Sequence, residues 1–195
     1  KAFATIKRMI YGDPQTAHLL LDKLADAVID YLNAQIESGA QAVQIFDTWG
    51  GVLAPEMFKS FSLHYLEKIV NGLHRSYGGK TIPVVLFCKG CNSHLEALAD
   101  TGCDGLGVDW TMTLGEARAR VGDRVSLQGN LDPAIMLTNP AIIESQVKAT
   151  LSSYGKGNGH VFNLGHGITP EVDPHHMTVL TGSVREHSRH WHQEL

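Results

Sequence analysis

Five short apolar segments of the sequence end in residues able to do chemistry. The ends read Asp47-Thr48-Trp49-Gly50-Gly51, Cys88-Lys89-Gly90, Asp109-Trp110, Gln128-Gly129-Asn130 and Gly165-His166-Gly167. Together they offer carboxylate, hydroxyl, ammonium, amide and imidazole groups. The glycines let a main chain come close to a ligand and present N–H donors unobstructed. His166, between two glycines, would be held out beyond its strand, where imidazole serves as donor, acceptor or base. A turn histidine without a ligand is the plainer reading of His166, but all five ends carry the same polar character. Thr48 offers a hydroxyl to a ligand, or caps its own loop.

Other groups carry weaker signals. Cys88-Lys89-Gly90-Cys91 is a C-x-x-C, a pattern that lowers a thiol pKa at a helix start. The thioredoxin context is missing, and the pair has too few companions for a zinc ribbon. Cys88, Cys91 and Cys103 do not make a secreted disulfide framework, so a reducing, cytoplasmic setting is the default. His187, His190 and His192 cluster near the C-terminus, with His187 and His190 three apart on one helical face. A solvated helix face is the better reading there.

Composition excludes several classes. The formal charge of −4 does not suit a binder of phosphate backbones, so no nucleic acid partner is expected. No apolar run is long enough to span a membrane. There is no Gly-x-Gly-x-x-Gly after a strand and no Walker loop. With 43% apolar and 18% charged residues in 195, the chain has material for one core, so residues 1–195 read as a single domain.

The elements that must position these groups alternate. A helix is predicted over Pro14–Ser38, from apolar residues at helical spacing after Asp13-Pro14. Helices follow over Pro55–Tyr77, His94–Thr101, Leu114–Val121, Pro140–Tyr154 and Pro174–His192. Strands are predicted over Ala42–Asp47, Pro83–Cys88, Gly105–Asp109, Arg124–Gln128 and His160–Leu164. Such alternation implies parallel strands with helical crossovers. The expected fold class is α/β, a (β/α)8 TIM barrel of which about five parallel strands, the C-terminal portion, are present. A whole barrel takes about 250 residues. The chain also opens on Lys1-Ala2-Phe3-Ala4 without an initiator Met. The expectation is therefore that strands preceding Lys1 are missing. Barrel sites lie at strand C-termini, which would gather Thr48, Asp109, Asn130 and His166 on one concave face.

The motifs Phe46-Asp47-Thr48-Trp49-Gly50-Gly51, Gly107-Val108-Asp109-Trp110-Thr111, Leu127-Gln128-Gly129-Asn130-Leu131-Asp132-Pro133 and Asn163-Leu164-Gly165-His166-Gly167 resemble uroporphyrinogen decarboxylases of the bacterial type. The resemblance runs from Lys1 to about His192. It implies a cofactor-free lyase that removes CO2 from the acetate arms of uroporphyrinogen to give coproporphyrinogen. It also implies a homodimer, and substrate binding by Thr48 and His166. The family's Arg-rich motif, catalytic Asp and substrate-contacting Tyr fall upstream of Lys1, so the catalytic residue is not assigned here. The chain alone is expected to be inactive.

Two alternatives stand beside this. One is a zinc-dependent corrinoid methyltransferase on the same barrel. Those relatives place a His-x-Cys pair where this chain has Phe87-Cys88-Lys89, and a Cys where it has His166. The other is a catalytically inactive tetrapyrrole-binding fragment. No metal site is expected. Elemental analysis of tag-free protein should find no stoichiometric zinc, and about one zinc per chain would revive the methyltransferase reading.

Overall fold

The computed structural model describes residues 3–192. Its centre is a five-stranded parallel sheet formed by β1 (Val43–Asp47), β4 (Val84–Cys88), β5 (Gly105–Gly107), β6 (Ser126–Leu131) and β7 (His160–Leu164), in that order. Short β2 (Ser76–Tyr77) and β3 (Lys80–Thr81) form a separate antiparallel hairpin. The helices are α1 (Ala4–Gly12), α2 (Pro14–Glu37), α3 (Pro55–Phe58), α4 (His64–Gly72), α5 (Leu95–Ala99), α6 (Leu114–Val121), α7 (Pro140–Tyr154) and α8 (Pro174–His192). Sequential parallel strands joined through helices make this a portion of a (β/α)8 barrel. Among the described residues no helix is long and apolar enough to cross a membrane.

Local chemistry sets the helix starts. Asp13 accepts a hydrogen bond from Thr16 N and Pro14 occupies the first turn of α2. Thr113 accepts from Glu116 N at α6, and Asn139 accepts from Ile142 N at α7. Each side chain satisfies a donor that the first helical turn leaves unpaired. Between α5 and α6, Arg120 grips Glu96 through two 2.6 Å hydrogen bonds. That grip lowers the Glu96 carboxyl to about 2.

Pleating divides the sheet. Val43, Ile45, Val84, Leu86, Leu106 and Leu127 are buried in the core that α2, α4, α5 and α6 share. The alternate positions Gln44, Phe46, Phe87, Gly107 and Gln128 line a cavity. In the pairing, Phe46 lies level with Phe87, Gly107 and Gln128 in turn. A second core holds Met136, Ile143, Val147 and Leu151 against Leu164 and Leu180.

The structure departs from the sequence expectations in places. The helix expected over Pro55–Tyr77 contains a π-helical turn at Lys59–Leu63 and stops at Gly72. Asn33 of α2 causes the stop. Its amide donates to Gly72 O at 3.0 Å and its carbonyl accepts from His74 N at 2.7 Å, replacing helical bonds. Ser76 and Tyr77 then turn into the hairpin through Gly78 and Gly79, whose φ values are 57° and 76°, as such a turn requires. The strand expected over Arg124–Gln128 lies at Ser126–Leu131, because β7 keeps pairing with it as far as Leu131 and Leu164. The strand expected to reach Asp109 ends at Gly107, and the helix expected over His94–Thr101 is regular over Leu95–Ala99. α1 had no counterpart in the sequence reading.

Leu86 is fully buried at 0% exposure, whereas Val161 is 53% exposed. Leu86→Ala should therefore lower stability by about 3 kcal/mol, and Val161→Ala should stay within about 0.5 kcal/mol. Urea denaturation followed by circular dichroism measures both.

Candidate functional site

The concave face of the sheet opens into a cavity of about 750 Å³. This falls in the range of small-molecule sites, about 300–1,000 Å³. Gln44, Phe46, Phe87 and Gln128 line it from the strands, and Thr48, His166 and Ile168 from the loops beyond them. Met177, Leu180 and Arg185 of α8 complete the wall beside β7. Gln128 Nε2 stands 3.4 Å from Gln44 Oε1, so two amides face one another across the two strands, β4 and β5, that separate β1 from β6.

His166 is fixed by its surroundings. Gly165 N continues the ladder by donating to Leu131 O at 2.7 Å. A Cβ on Gly165 would fall 2.7 Å from Trp110 N, so only glycine allows this approach. The ring stands edge-on to Phe87 and Trp110, at 6.1 and 6.3 Å between centroids. Its Nδ1 accepts from Gly167 N at 2.6 Å. With Nδ1 occupied as an acceptor, the neutral ring carries its proton on Nε2. That Nε2 is buried and has no hydrogen-bond partner. A buried donor without a partner costs about 1–3 kcal/mol, a cost that a bound acceptor would offset.

Thr48 follows β1. Its hydroxyl makes no hydrogen bond to another described residue, so it does not cap its loop. The loop is held from both sides. Ser62 Oγ, presented by the π-helical turn, donates to Asp47 Oδ2 at 2.5 Å. Lys89 N donates to Asp47 O at 3.3 Å, and Gly51 N donates to Lys89 O at 3.2 Å. A Cβ at Gly51 would lie 2.5 Å from Lys89 O, so glycine lets the β1 and β4 loops interlock. The interlock sets Trp49 beside Lys89, whose Nζ lies over the rings of Trp49 and Trp110 at 5.3 and 5.5 Å.

Asp109 and Asn130 do not join the cavity, contrary to the expectation that both would open onto it. Asp109 is 1% exposed and turns into the loops. It accepts from Gly90 N at 2.6 Å, Asn92 Nδ2 at 3.0 Å, Thr111 N at 2.9 Å and Thr111 Oγ1 at 2.6 Å. Burial pushes its carboxyl up, but the donors from Thr111, Gly90 and Asn92 outweigh burial and hold it below the ordinary aspartate value. Asn130 Nδ2 donates to Asp109 O and Met112 O at 2.9 and 2.6 Å. Both side chains tie loops together.

Cys88 and Cys91 are disulfide-bonded, with sulfurs 2.13 Å apart. The turn after β4 brings their Cα atoms to 5.5 Å, within disulfide reach. Cys103 is free and buried. His187 Nε2 pairs with Glu144 Oε1 at 3.1 Å. The side chain of His192 lies outside the described residues. Among the described residues no three His, Cys, Asp or Glu side chains gather as metal ligands would. No local pattern in the sequence marks the Lys89–tryptophan arrangement or Arg185. Lys89 and Trp110 stood at strand ends, and that position was the available signal.

Comparison with known proteins bears on this site. A family model described as uroporphyrinogen decarboxylase (URO-D) matches residues 1–187. The uroporphyrinogen decarboxylase of Hydrogenovibrio crunogenus is 57% identical over 193 residues, covering 99% of this chain and 54% of that protein. That of Psychromonas ingrahamii is 58% identical over 192 residues, covering 98% of this chain and 54% of that protein. The chain thus spans about half the length of the curated relatives it matches. Among solved structures, a methyltransferase from Methanosarcina mazei superposes with a TM-score of 0.79 at 24% identity. The match covers 94% of this chain and 53% of that one, and shows a shared fold.

Because its folded pKa is lowered, ionised Asp109 stabilises the fold at neutral pH. The contribution fades as pH falls below the ordinary value of about 4 toward the folded value. Asp109→Asn should cost about 2 kcal/mol at pH 7. Urea titrations at several pH values should show the gap between variant and unaltered chain narrowing only below about pH 4.

Proposed function

The chain belongs to the uroporphyrinogen decarboxylase family, and on that premise we propose that its cavity receives uroporphyrinogen, with Thr48 and His166 as substrate-binding residues. The observation carrying this is the His166 Nε2 donor, buried without a partner in the cavity that Thr48 also lines. The reaction proposed is loss of CO2 from the acetate arms, leaving methyl groups and yielding coproporphyrinogen in porphyrin synthesis. A substrate of this kind is a flat, apolar macrocycle edged with carboxylates. Phe46, Phe87 and Ile168 offer apolar walls to the macrocycle, while the imidazole N–H and the threonine hydroxyl offer donors to its oxygens.

Decarboxylation through a protonated pyrrole needs a group that stabilises the resulting cation. Asp109 is consumed by its four hydrogen bonds, so we assign it a positioning role and name no catalytic residue in this chain. No cofactor belongs to the proposal. A homodimer working in the cytoplasm does, on the strength of the family resemblance.

The test is anaerobic. Uroporphyrinogen binding by the chain should weaken about tenfold in His166→Leu and about threefold in Thr48→Val, with both variants folded by circular dichroism. Binding unchanged in both would remove the site assignment. Uroporphyrinogen consumption by the chain alone should be undetectable. Robust turnover would place the catalytic group among these residues, with Asp47 the first to test.

A further inference from the structure

Lys89 is a cation with no counter-ion among the described residues, and its side chain is partly buried. The charge lies over the faces of two indoles, Trp49 at 5.3 Å and Trp110 at 5.5 Å. Ring faces attract a cation but leave its hydrogen-bond donors unused. Lys59, Lys68 and Lys148 by contrast each meet a carboxylate on the helical exterior. Lys89 stands at the end of a sheet strand instead.

The two indoles lead from this charge to the cavity. Trp49 directly follows Thr48, and Trp110 stands against the His166 ring at 6.3 Å. The ammonium therefore lies over two indoles, one next in sequence to Thr48 and the other against the His166 ring, and those two residues line the cavity. Its position is built rather than incidental. Asp109 takes Gly90 N and Thr111 N together, which locks the residue after Lys89 to the residue after Trp110. The Gly51–Lys89 main-chain bond locks the other side to the Trp49 loop.

We propose that Lys89 is a substrate-positioning residue, its ammonium receiving a side-chain carboxylate of the macrocycle at the cavity rim. The inference rests on the reading of the cavity as a tetrapyrrole site. The indoles hold the ammonium in place and keep water from part of it, so a carboxylate meets a preorganised cation. His166 grips deeper in the cavity, and Lys89 fixes the orientation of the ring from its edge.

Uroporphyrin, the stable oxidised macrocycle, serves as the probe, titrated against tryptophan fluorescence at several salt concentrations. The unaltered full chain should bind with an affinity that falls as salt rises. Lys89→Met keeps the length and apolar stem, and should bind about tenfold more weakly at low salt. It should also flatten the salt dependence, which a merely structural lysine would not alter. Lys89→Arg should stay within about threefold of the unaltered chain. Unchanged affinity and salt slope in Lys89→Met would overturn the inference and leave the tetrapyrrole reading intact. Equal weakening in the Met and Arg variants with a lowered Tm would also overturn it, making Lys89 a link between loops. An unaltered chain that folds and binds no uroporphyrin would overturn both.

Discussion

Removing the Asp109 carboxylate from water costs several kcal/mol unless hydrogen bonds replace its hydration. Here they do, and every one comes from the loops beyond β4 and β5. The carboxylate can be buried only while Gly90, Asn92 and Thr111 converge on it, and those loops stay converged because it is there. Asn130 extends the arrangement to β6 by donating to Asp109 O. Three strand ends are thereby referenced to one buried charge. Trp110, which stands against His166, and Lys89, which lies over Trp110, inherit their positions from it. A group that resembles an active-site acid by its strand-end position is thus the fixed point around which the rim is built.

The sheet itself imposes the division of labour. Parallel strands with helices on one face leave the other face to whatever fills or enters the barrel. In this chain that face carries Phe46 and Phe87 among two glutamines and a glycine, Gly107. The glycine gives width. A Cβ at Gly107 would lie 2.7 Å from the Phe87 ring, so a larger residue there would push that ring into the cavity. The helix-covered face has no such freedom, and Val84, Leu86 and Leu127 are sealed there completely. Stability and the lining of the cavity are therefore carried by alternate residues of the same strands.

Much of this was legible in the sequence. The βα alternation fixed the parallel sheet, and the rule that barrel strands end on one face brought Thr48 and His166 together. What escaped reading was decided at long range. The end of α4 at Gly72 depends on Asn33, 39 residues away, and no local signal in Gly72-Leu73 announces it. The extra length of β6 depends on the partner that β7 supplies. The inward turn of Asp109 depends on donors at Gly90 and Asn92, which sequence places on a different loop. Strand-end position predicts that a side chain lies near the mouth, but hydrogen-bond partners decide whether it faces the ligand or the scaffold.

The same distinction bears on how an acidic protein would hold a polyanion. The chain carries a formal charge of −4, which at long range repels a carboxylate-bearing ligand. Screening confines that repulsion to about 8 Å at physiological ionic strength. Within that distance the donors nearest the ligand dominate, and their hydration decides their worth. An exposed lysine exchanges water for carboxylate at little net gain. A donor already stripped of water, as His166 Nε2 is, gains more from the same oxygen, because the cost of its burial has been met by the fold. Affinity would then come from few, partly dehydrated donors on apolar walls rather than from a positive surface. That arrangement favours a ligand that brings its carboxylates on a broad apolar plane, since small free carboxylates would gain the donors but leave the walls uncovered.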